Sequence, residues 1–323
     1  MTFDAAWAIA AAAVAAGRIP CAVLGVAGAD GRRVKAAGDA VRVPECVPVG
    51  RGTFFDLASL TKPVFTTERI LGHAAAGQID LSAPLTSVVP DLRQYDAQCW
   101  ERRITFLDCL GHLTSLPGVE PLYTYGADPA RLRAFVLQRE WPAQPRPVYS
   151  DINFILLGIA LERLEGRPIR EMDPGSGFTF APSPNACAAT EACAWRGRIL
   201  RGEVHDENCF ALGGSGHAGL FGTADALLDF AEAKLSAGPG LIDAPLSATR
   251  THGWERRHAG WSGGERSSAR TIGHTGFTGT GLWIDFEAGS AWTLLTNRVH
   301  PSRHVETGIA DLRRAVGEAL YEE

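Results

Sequence analysis

The 323-residue sequence predicts an α+β fold in which both ends of the chain build one sheet and a mostly helical region lies between them. Strand-like apolar runs occur near the start, at 21–28, and near the end, at 281–286 and 291–296. Helix-like apolar spacing, broken by Pro and Gly, fills much of the region between these runs. The pattern therefore predicts a helical insertion into a sheet domain.

Composition narrows the function classes. Hydrophobic residues make up 46% and charged residues 21% of the chain, which excludes a disordered or fibrous protein. The formal net charge of −5 argues against neutralisation of phosphates and hence against nucleic-acid binding. The chain contains no uncharged apolar run of about 18 residues, so no transmembrane helix is predicted.

The first predicted element is an amphipathic helix at 5–16, ended by Gly17 and Pro20. This stretch is apolar enough to imitate a signal peptide, but Asp4 precedes it and no Lys or Arg lies before it. These flanks predict a cytoplasmic protein. The seven cysteines form no Cys-x-x-Cys pair, so we expect free thiols rather than a disulfide framework.

The remaining elements follow in chain order. The run 21–28, a turn at Asp30-Gly31 and a return over 33–37 predict a hairpin. Apolar spacing predicts helices over 60–77, 104–113, 128–140, 151–165 and 223–236, with an aperiodic connector at 173–188. The two strand-like runs near the end and a final helix at about 303–321 complete the chain.

The strongest chemical signal is Ser59-Leu60-Thr61-Lys62, placed where a loop becomes a helix. A spacing of three puts the Ser59 hydroxyl and the Lys62 amine on one helix face, within reach of each other. Pro63 fits this position, because proline is tolerated in the first turn of a helix. A serine is a weak nucleophile unless a neighbouring base takes its proton, so the spacing indicates a candidate catalytic pair.

Two further segments with candidate functional residues follow this pair along the chain. Tyr149-Ser150-Asp151 precedes an apolar helix, and Gly273-His274-Thr275-Gly276 precedes the strand-like run at 281–286. Their order matches the three-part signature of β-lactamases and penicillin-binding proteins. With the nucleophile segment 55–62, these motifs resemble the class C β-lactamase-like serine hydrolases. That family includes family VIII carboxylesterases, D-aminopeptidases and D-alanyl-D-alanine carboxypeptidases.

The resemblance covers nearly the whole chain and implies an architecture. It implies a β-lactamase/transpeptidase-like fold, with an antiparallel sheet from the N- and C-terminal segments flanked by helices. The implied domains are an α/β sheet domain, 1–73 plus 218–323, and a mostly helical domain, 74–217. The active site would lie between them.

The resemblance also implies roles for individual residues. Ser59 would be the acylated nucleophile, with Lys62 and Tyr149 as its base system. A free tyrosine titrates near pH 10, so Tyr149 could act at neutral pH only if Lys62 stabilised its anion. The backbone N–H groups of Ser59 and Phe277 would form the oxyanion hole. Neither a metal ion nor an organic cofactor is implied.

Two substitutions depart from the family pattern within the proposed substrate-binding residues Asp151, His274, Thr275, Gly276 and Phe277. Asp151 replaces the usual asparagine and adds a negative charge near Lys62, which could hold Lys62 protonated. His274 replaces the lysine that meets a substrate carboxylate, and a mostly neutral histidine weakens that contact. We therefore expect a carboxylesterase or β-lactamase-like hydrolase of small, neutral esters or amides.

Two alternatives stay open. One is a catalytically weak or silent scaffold that binds a ligand, and the other is a D-amino acid peptidase or carboxypeptidase.

The stretch 214–219 fits Gly-x-Gly-x-x-Gly, but it lacks the surrounding βαβ unit, so we expect a tight turn there rather than a dinucleotide site. His205, Asp206 and Asn208 lack metal-site spacing, so we expect buried hydrogen bonds. The predicted partner is a small-molecule substrate, without nucleic acid or membrane, and the oligomeric state stays open.

Overall fold

The computed structural model describes residues 2–322. The α-helices in this part of the chain are α1 (Phe3–Ala15), α2 (Glu68–Ala75), α3 (Phe106–Leu110), α4 (Pro129–Gln138), α5 (Asp151–Glu165), α6 (Glu207–Ala211), α7 (Ala224–Ala237) and α8 (Ile309–Leu320). The strands are β1 (Cys21–Gly28), β2 (Gly31–Val41), β3 (Val47–Pro48), β4 (Phe55–Asp56), β5 (Phe178–Thr179), β6 (Ala189–Cys193), β7 (Arg198–Arg201), β8 (Phe221–Gly222), β9 (Glu255–Arg256), β10 (Thr271–Thr275), β11 (Gly281–Asp285) and β12 (Ser290–Leu295).

The main sheet has seven antiparallel strands in the order β3-β2-β1-β12-β11-β10-β9. The predicted α+β class and the sheet shared by both chain ends are therefore confirmed. In a second, three-stranded sheet β8 pairs with both β4 and β5, and in a third sheet β6 pairs with β7. The predicted hairpin is β1–β2, with Val23 opposite Ala36. The proposed division into domains 1–73 plus 218–323 and 74–217 stays a prediction.

Both faces of the sheet are covered, which explains why the central strand β1 carries no polar or charged side chain other than the Cys21 thiol. In β1, Cys21 and Val23 face one hydrophobic cluster, while Ala22 and Leu24 face the other. Helices α1 and α8 pack together over the second face. Helix α7 packs on β1 and β12, and Gly25 allows its close approach because an added Cβ would lie 2.9 Å from Leu228 Cδ1.

A stacked tryptophan pair lies on the neighbouring strands β11 and β12, where Trp283 is opposite Trp292. Trp283 and Trp292 are fully buried, with ring centroids 3.8 Å apart, as expected for core residues. A Cβ on Gly273 would lie 2.2 Å from Trp283 Cδ1. The glycine before His274 is therefore required by packing against this pair.

Several predicted elements differ in detail. The predicted helix at 60–77 is a 3₁₀ turn (Ala58–Leu60), a π-helical segment (Lys62–Thr67) and then α2. The final helix begins only at Ile309, because Gly308 adopts a left-handed conformation with φ +62°. The hairpin β6–β7 was not predicted. His252, in a polar stretch whose composition is typical of a surface segment, is buried. Within residues 2–322, no helix combines the length and apolarity needed to cross a bilayer.

Candidate active site

Ser59 lies on a strained turn between β4 and the π-helical segment. The preceding residue, Ala58, has φ +48°, a conformation that costs about 1–2 kcal/mol for a residue with a Cβ. The buried Asp56 carboxylate supports the turn, accepting hydrogen bonds from the Ala58 N–H at 2.8 Å and the His205 N–H at 2.6 Å. The turn presents Ser59 at the beginning of a helical segment, where backbone N–H groups lack helical partners.

Lys62 joins the nucleophile to a carboxylate. Its Nζ donates a hydrogen bond to Ser59 Oγ at 2.9 Å and another to the His217 carbonyl at 3.2 Å. The same Nζ lies 2.7 Å from Asp151 Oδ1. The Lys62 side chain is completely buried, and burial alone would lower its pKa. Asp151 and Tyr149 outweigh burial and raise the Lys62 pKa above its ordinary value, so the resting amine is an ammonium.

The Tyr149 ring lies between the Lys62 ammonium and the open cleft. Lys62 Nζ lies 4.9 Å from the centre of the Tyr149 ring, and the ring itself is half-exposed to the cleft. The guanidinium carbon of Arg250 lies 5.3 Å from the same ring centre. One aromatic ring therefore contacts two cations, and its quadrupole attracts both of them.

The sequence analysis missed His112, which supports Tyr149 from behind. Its ring centroid is 4.3 Å from that of Tyr149, and its Nδ1 accepts the Ser150 N–H at 3.1 Å. Burial lowers the His112 pKa well below its usual range, helped by the charges of Arg250 and Lys62. The histidine is neutral. No local motif marks it in the sequence.

The third motif forms the opposite wall, at the end of β10. His274 is buried, and burial together with the charges of Lys62 and Arg250 lowers its pKa well below the usual range. Thr275 lines the cleft beside it. Gly276 has no room for a side chain, since a Cβ would lie 2.5 Å from the Leu57 carbonyl oxygen. The glycine thus brings this strand end against the nucleophile turn.

The turn after Gly276 presents a free donor. Within residues 2–322, the Phe277 N–H has no hydrogen-bond acceptor. Arg313, on α8, holds the turn by donating to the carbonyls of Gly276 and Thr280 at 2.8 and 2.7 Å. Burial lowers the Arg313 pKa to about 9. Sequence reasoning gave no reason to select this arginine, because a buried side chain on a distant helix carries no local motif.

Asp206 and His217 bring a second carboxylate to the site. His217 Nε2 lies 2.9 Å from Asp206 Oδ1, and its Nδ1 lies 2.8 Å from Ser215 Oγ. Donor atoms of Asp151, Asp206 and His217 lie within 4.8 Å of one another, close enough to share a metal ion. Lys62 Nζ already contributes a positive charge to Asp151 there. The neighbours His205 and Asn208 turn away, to Glu191 at 3.1 Å and to the Glu120 carbonyl at 2.7 Å.

The glycine-rich stretch 214–219 is the predicted tight turn, with a bridge between Ser215 and Ala218. A Cβ on Gly216 would lie 2.4 Å from the Phe154 carbonyl oxygen of α5. Close backbone approach to α5 explains the glycine, and it places the His217 carbonyl on Lys62.

These walls enclose one cleft of about 680 Å³, within the size range of small-molecule sites. Of the predicted residues, Ser59, Tyr149, Asp151, His274, Thr275 and Phe277 line it, while Lys62 and Gly276 lie behind the surface. Arg303 also lines the cleft but is ion-paired to Glu191 and Glu207. Arg250 lines it as well, and no carboxylate among residues 2–322 lies within ion-pair distance of its guanidinium.

Comparison with known proteins gives consistent relatives. The protein is 28% identical to an N-acetylmuramyl-L-alanine amidase of Bacillus subtilis (strain 168), across 77% of this chain and 68% of that protein. It is 27% identical to an Escherichia coli (strain K12) protein named provisionally as a D-alanyl-D-alanine carboxypeptidase, across 80% and 72% of the two chains.

Solved structures share the fold at low identity. The hydrolase EstCE1, described as having promiscuous acyltransferase activity, superposes with a TM-score of 0.75 at 18% identity, over 99% of this chain and 98% of that chain. A class C β-lactamase from Rhodobacter sphaeroides gives 0.74 at 18% identity, over 98% of both chains. The β-lactamase family model matches residues 8–315. The chain therefore belongs to the β-lactamase family and has the fold of its serine hydrolases.

Proposed function

We propose that the protein is a serine hydrolase that cleaves a small amide or ester through an acyl-enzyme on Ser59. One observation carries this proposal: Ser59 Oγ, Lys62 Nζ and Asp151 Oδ1 form a continuous chain with steps of 2.9 and 2.7 Å at the wall of an open cleft. A hydroxyl, an amine and a carboxylate at these distances can move one proton away from the nucleophile.

Asp151 is the terminal proton acceptor in this proposal. Because Lys62 rests as an ammonium, it accepts the Ser59 proton only as it passes one of its own to Asp151. Lys62 stays charged, Asp151 becomes a neutral acid, and Ser59 Oγ attacks the carbonyl. The proton then returns through Lys62 to the leaving nitrogen or oxygen. Tyr149, beside Lys62, is the second proposed proton carrier.

The N–H groups of Ser59 and Phe277 are the proposed oxyanion donors. The Phe277 turn is preset by Arg313, so the donors need no rearrangement as charge develops. Water then attacks the acyl carbonyl and gives up a proton, which passes through Lys62 to Asp151. Ser59 leaves the acyl carbon and takes that proton back through Lys62. Nothing in this sequence of steps requires a group outside the chain other than substrate and water.

Arg250 directs the proposal toward substrates with a carboxylate. The sequence favoured neutral substrates because His274 replaces a cationic lysine. His274 is indeed uncharged, but the unpaired guanidinium of Arg250 lies across the Tyr149 ring in the same cleft. The two curated relatives are named for reactions on amide bonds, one of them in an amide linked to a sugar. An amide that carries a carboxylate is therefore our preferred substrate, and a D-amino acid carboxypeptidase activity is the second candidate.

The remaining expectations are also proposals: a cytoplasmic location, a small-molecule partner without nucleic acid or membrane, and catalysis without a metal or organic cofactor. The contacts that join Ser59, Lys62 and Asp151 argue against the alternative of a catalytically silent scaffold.

The experiment uses p-nitrophenyl acetate and butyrate, with wild type and Ser59→Ala. We expect burst kinetics and turnover from wild type only, with loss of about 10³-fold or more in the variant. A fluorophosphonate should add its mass to the peptide containing Ser59. Equal, near-zero rates for both proteins, with no labelling of Ser59, would favour the ligand-binding scaffold.

A further inference from the structure

Three aromatic side chains form a surface patch beside the cleft, which we call the aromatic shelf: Tyr123, Trp195 and Phe210. Trp195 stands in the turn of the β6–β7 hairpin and is 48% exposed, and Phe210 on α6 is 40% exposed. The Trp195 ring centroid lies 4.8 Å from that of Tyr123 and 5.9 Å from that of Phe210. The three rings thus form one continuous apolar surface.

The aromatic shelf continues directly into the catalytic cleft. Tyr123 lines the same cavity as Ser59. Asn208 fixes the Tyr123 segment, since its Oδ1 accepts the Tyr123 N–H at 3.2 Å and its Nδ2 donates to the Glu120 carbonyl at 2.7 Å. A molecule that lies on the aromatic shelf can therefore contact, at Tyr123, the cavity that Ser59 lines.

The buried guanidinium of Arg196 packs against both outer rings. The guanidinium carbon of Arg196 lies 4.4 Å from the Phe210 ring centre and 5.5 Å from that of Trp195. Its side chain is only 3% exposed and pairs with Glu203 at 3.0 Å. Rings that are already ordered lose little conformational freedom when a ligand binds, and this favours a binding role over an incidental exposure.

We propose that the aromatic shelf binds a pyranose ring of the substrate, in the form of an acetamido sugar linked to the scissile amide. A pyranose presents one face of C–H groups, which stacks on an aromatic ring, and hydroxyls at its edge, which need water or polar partners. A contiguous exposed apolar patch rimmed by polar groups marks a binding surface. Three rings are far fewer than the roughly 20–30 residues per side of a stable protein interface, so a small ligand fits better than a protein.

This inference rests on the proposed function for the position of the scissile bond, but its first test needs no turnover. The Ser59→Ala protein is titrated with N-acetylglucosamine and with N-acetylmuramic acid. Tryptophan fluorescence and saturation-transfer NMR measure the binding. We expect saturable binding with the strongest transfer to the sugar-ring protons. Replacing Trp195 with Ala in this background should weaken the affinity about tenfold, and replacing it with Phe should restore part of the loss.

The matched control is Tyr95→Ala, because Tyr95 is 90% exposed and lines no part of the cleft. This variant should bind both sugars as the parent protein does. Sugar affinity that is unaffected by Trp195→Ala would overturn the proposal. A change of oligomeric state in Trp195→Ala would overturn it too, because the aromatic shelf would then be an interface between copies.

A second measurement separates this inference from the proposed function. In proteins with an intact Ser59, kcat/KM is measured for a sugar-linked amide and for p-nitrophenyl acetate. The ratio of the first value to the second should be about tenfold lower in Trp195→Ala than in wild type. If wild type hydrolyses neither compound but Trp195-dependent sugar binding persists, the aromatic shelf stands and the hydrolase proposal fails. If esters are hydrolysed and the ratio does not change, the hydrolase stands and the shelf proposal fails.

Discussion

Two cations of the cleft, Lys62 and Arg250, differ in their burial and in their partners. Lys62 is completely buried and commits its charge to Asp151, Ser59 and the His217 carbonyl. Arg250 faces the cleft with no carboxylate partner among residues 2–322. A buried charge must be paired in the resting protein, whereas a charge in contact with water can wait for its partner. From this contrast we propose that Lys62 takes part in the chemistry and that Arg250 takes part in substrate recognition.

The sharpest test of this contrast is Lys62→Met, which keeps most of the side-chain volume and removes the amine. We expect kcat to fall about 10³–10⁴-fold, because the proton path from Ser59 is broken. Steady-state kinetics with p-nitrophenyl butyrate measures the loss, and circular dichroism checks that the variant is folded. A folded Lys62→Met protein that keeps a tenth of its activity would remove Lys62 from the chemistry.

Asp151→Asn isolates the end of the relay and should lower kcat about 10²-fold at neutral pH, because an amide cannot accept the proton. Since Asp151 raises the Lys62 pKa, the substitution should also lower that pKa. A neutral Lys62 can then take the Ser59 proton directly, so the variant should recover activity as pH rises. A pH–kcat profile parallel to that of wild type would contradict the role of Asp151 as acceptor.

Arg250→Met should affect binding instead. For an amide substrate with a free carboxylate, we expect KM to rise about 10–100-fold with kcat nearly unchanged, since a charge-assisted hydrogen bond is lost. The same amide with its carboxylate converted to a methyl ester is the matched control and should show little change. A fall in kcat at constant KM would end the distinction between the two cations.

The smallest expected effect concerns stability. Burial, with the charges of Lys62 and Arg250, lowers the pKa of both His112 and His274 below the ordinary 6.5. Below about pH 6.5 these two histidines bind protons in the unfolded chain but stay neutral in the folded protein. Each histidine then lowers the free energy of unfolding by up to about 1.4 kcal/mol per pH unit.

Urea unfolding at pH 7.5, 6.5 and 5.5 measures this slope, in a range where carboxylates contribute little. Burial also lowers the pKa of His252 and His300, so four histidines contribute to the slope and His274→Asn should flatten it by about a quarter. Arg250→Met should flatten it slightly, because it removes repulsion from both imidazoles. A slope that is identical in wild type and His274→Asn would contradict the neutral, buried state of His274.

Local sequence signals were sufficient for the strand pair at the N-terminus, for helix α5 with its predicted limits 151–165, and for the Ser59–Lys62 spacing. These features depend on periodicity and on contacts within a few residues. The positions of His112, Arg250 and Arg313 depend on packing between distant segments, so no local pattern identifies them. The β6–β7 hairpin was missed because its strands are short and alternate polar with apolar residues only briefly.

The central place of β1 in the sheet affects how the chain is made. Its hairpin with β2 leaves the ribosome early, but its other neighbour, β12, emerges more than 260 residues later, tens of seconds at ordinary rates of translation. Until then one edge of an apolar strand has no partner, a state prone to unwanted association. We therefore expect truncated translation products of this protein to require chaperones, while the finished chain closes its own sheet.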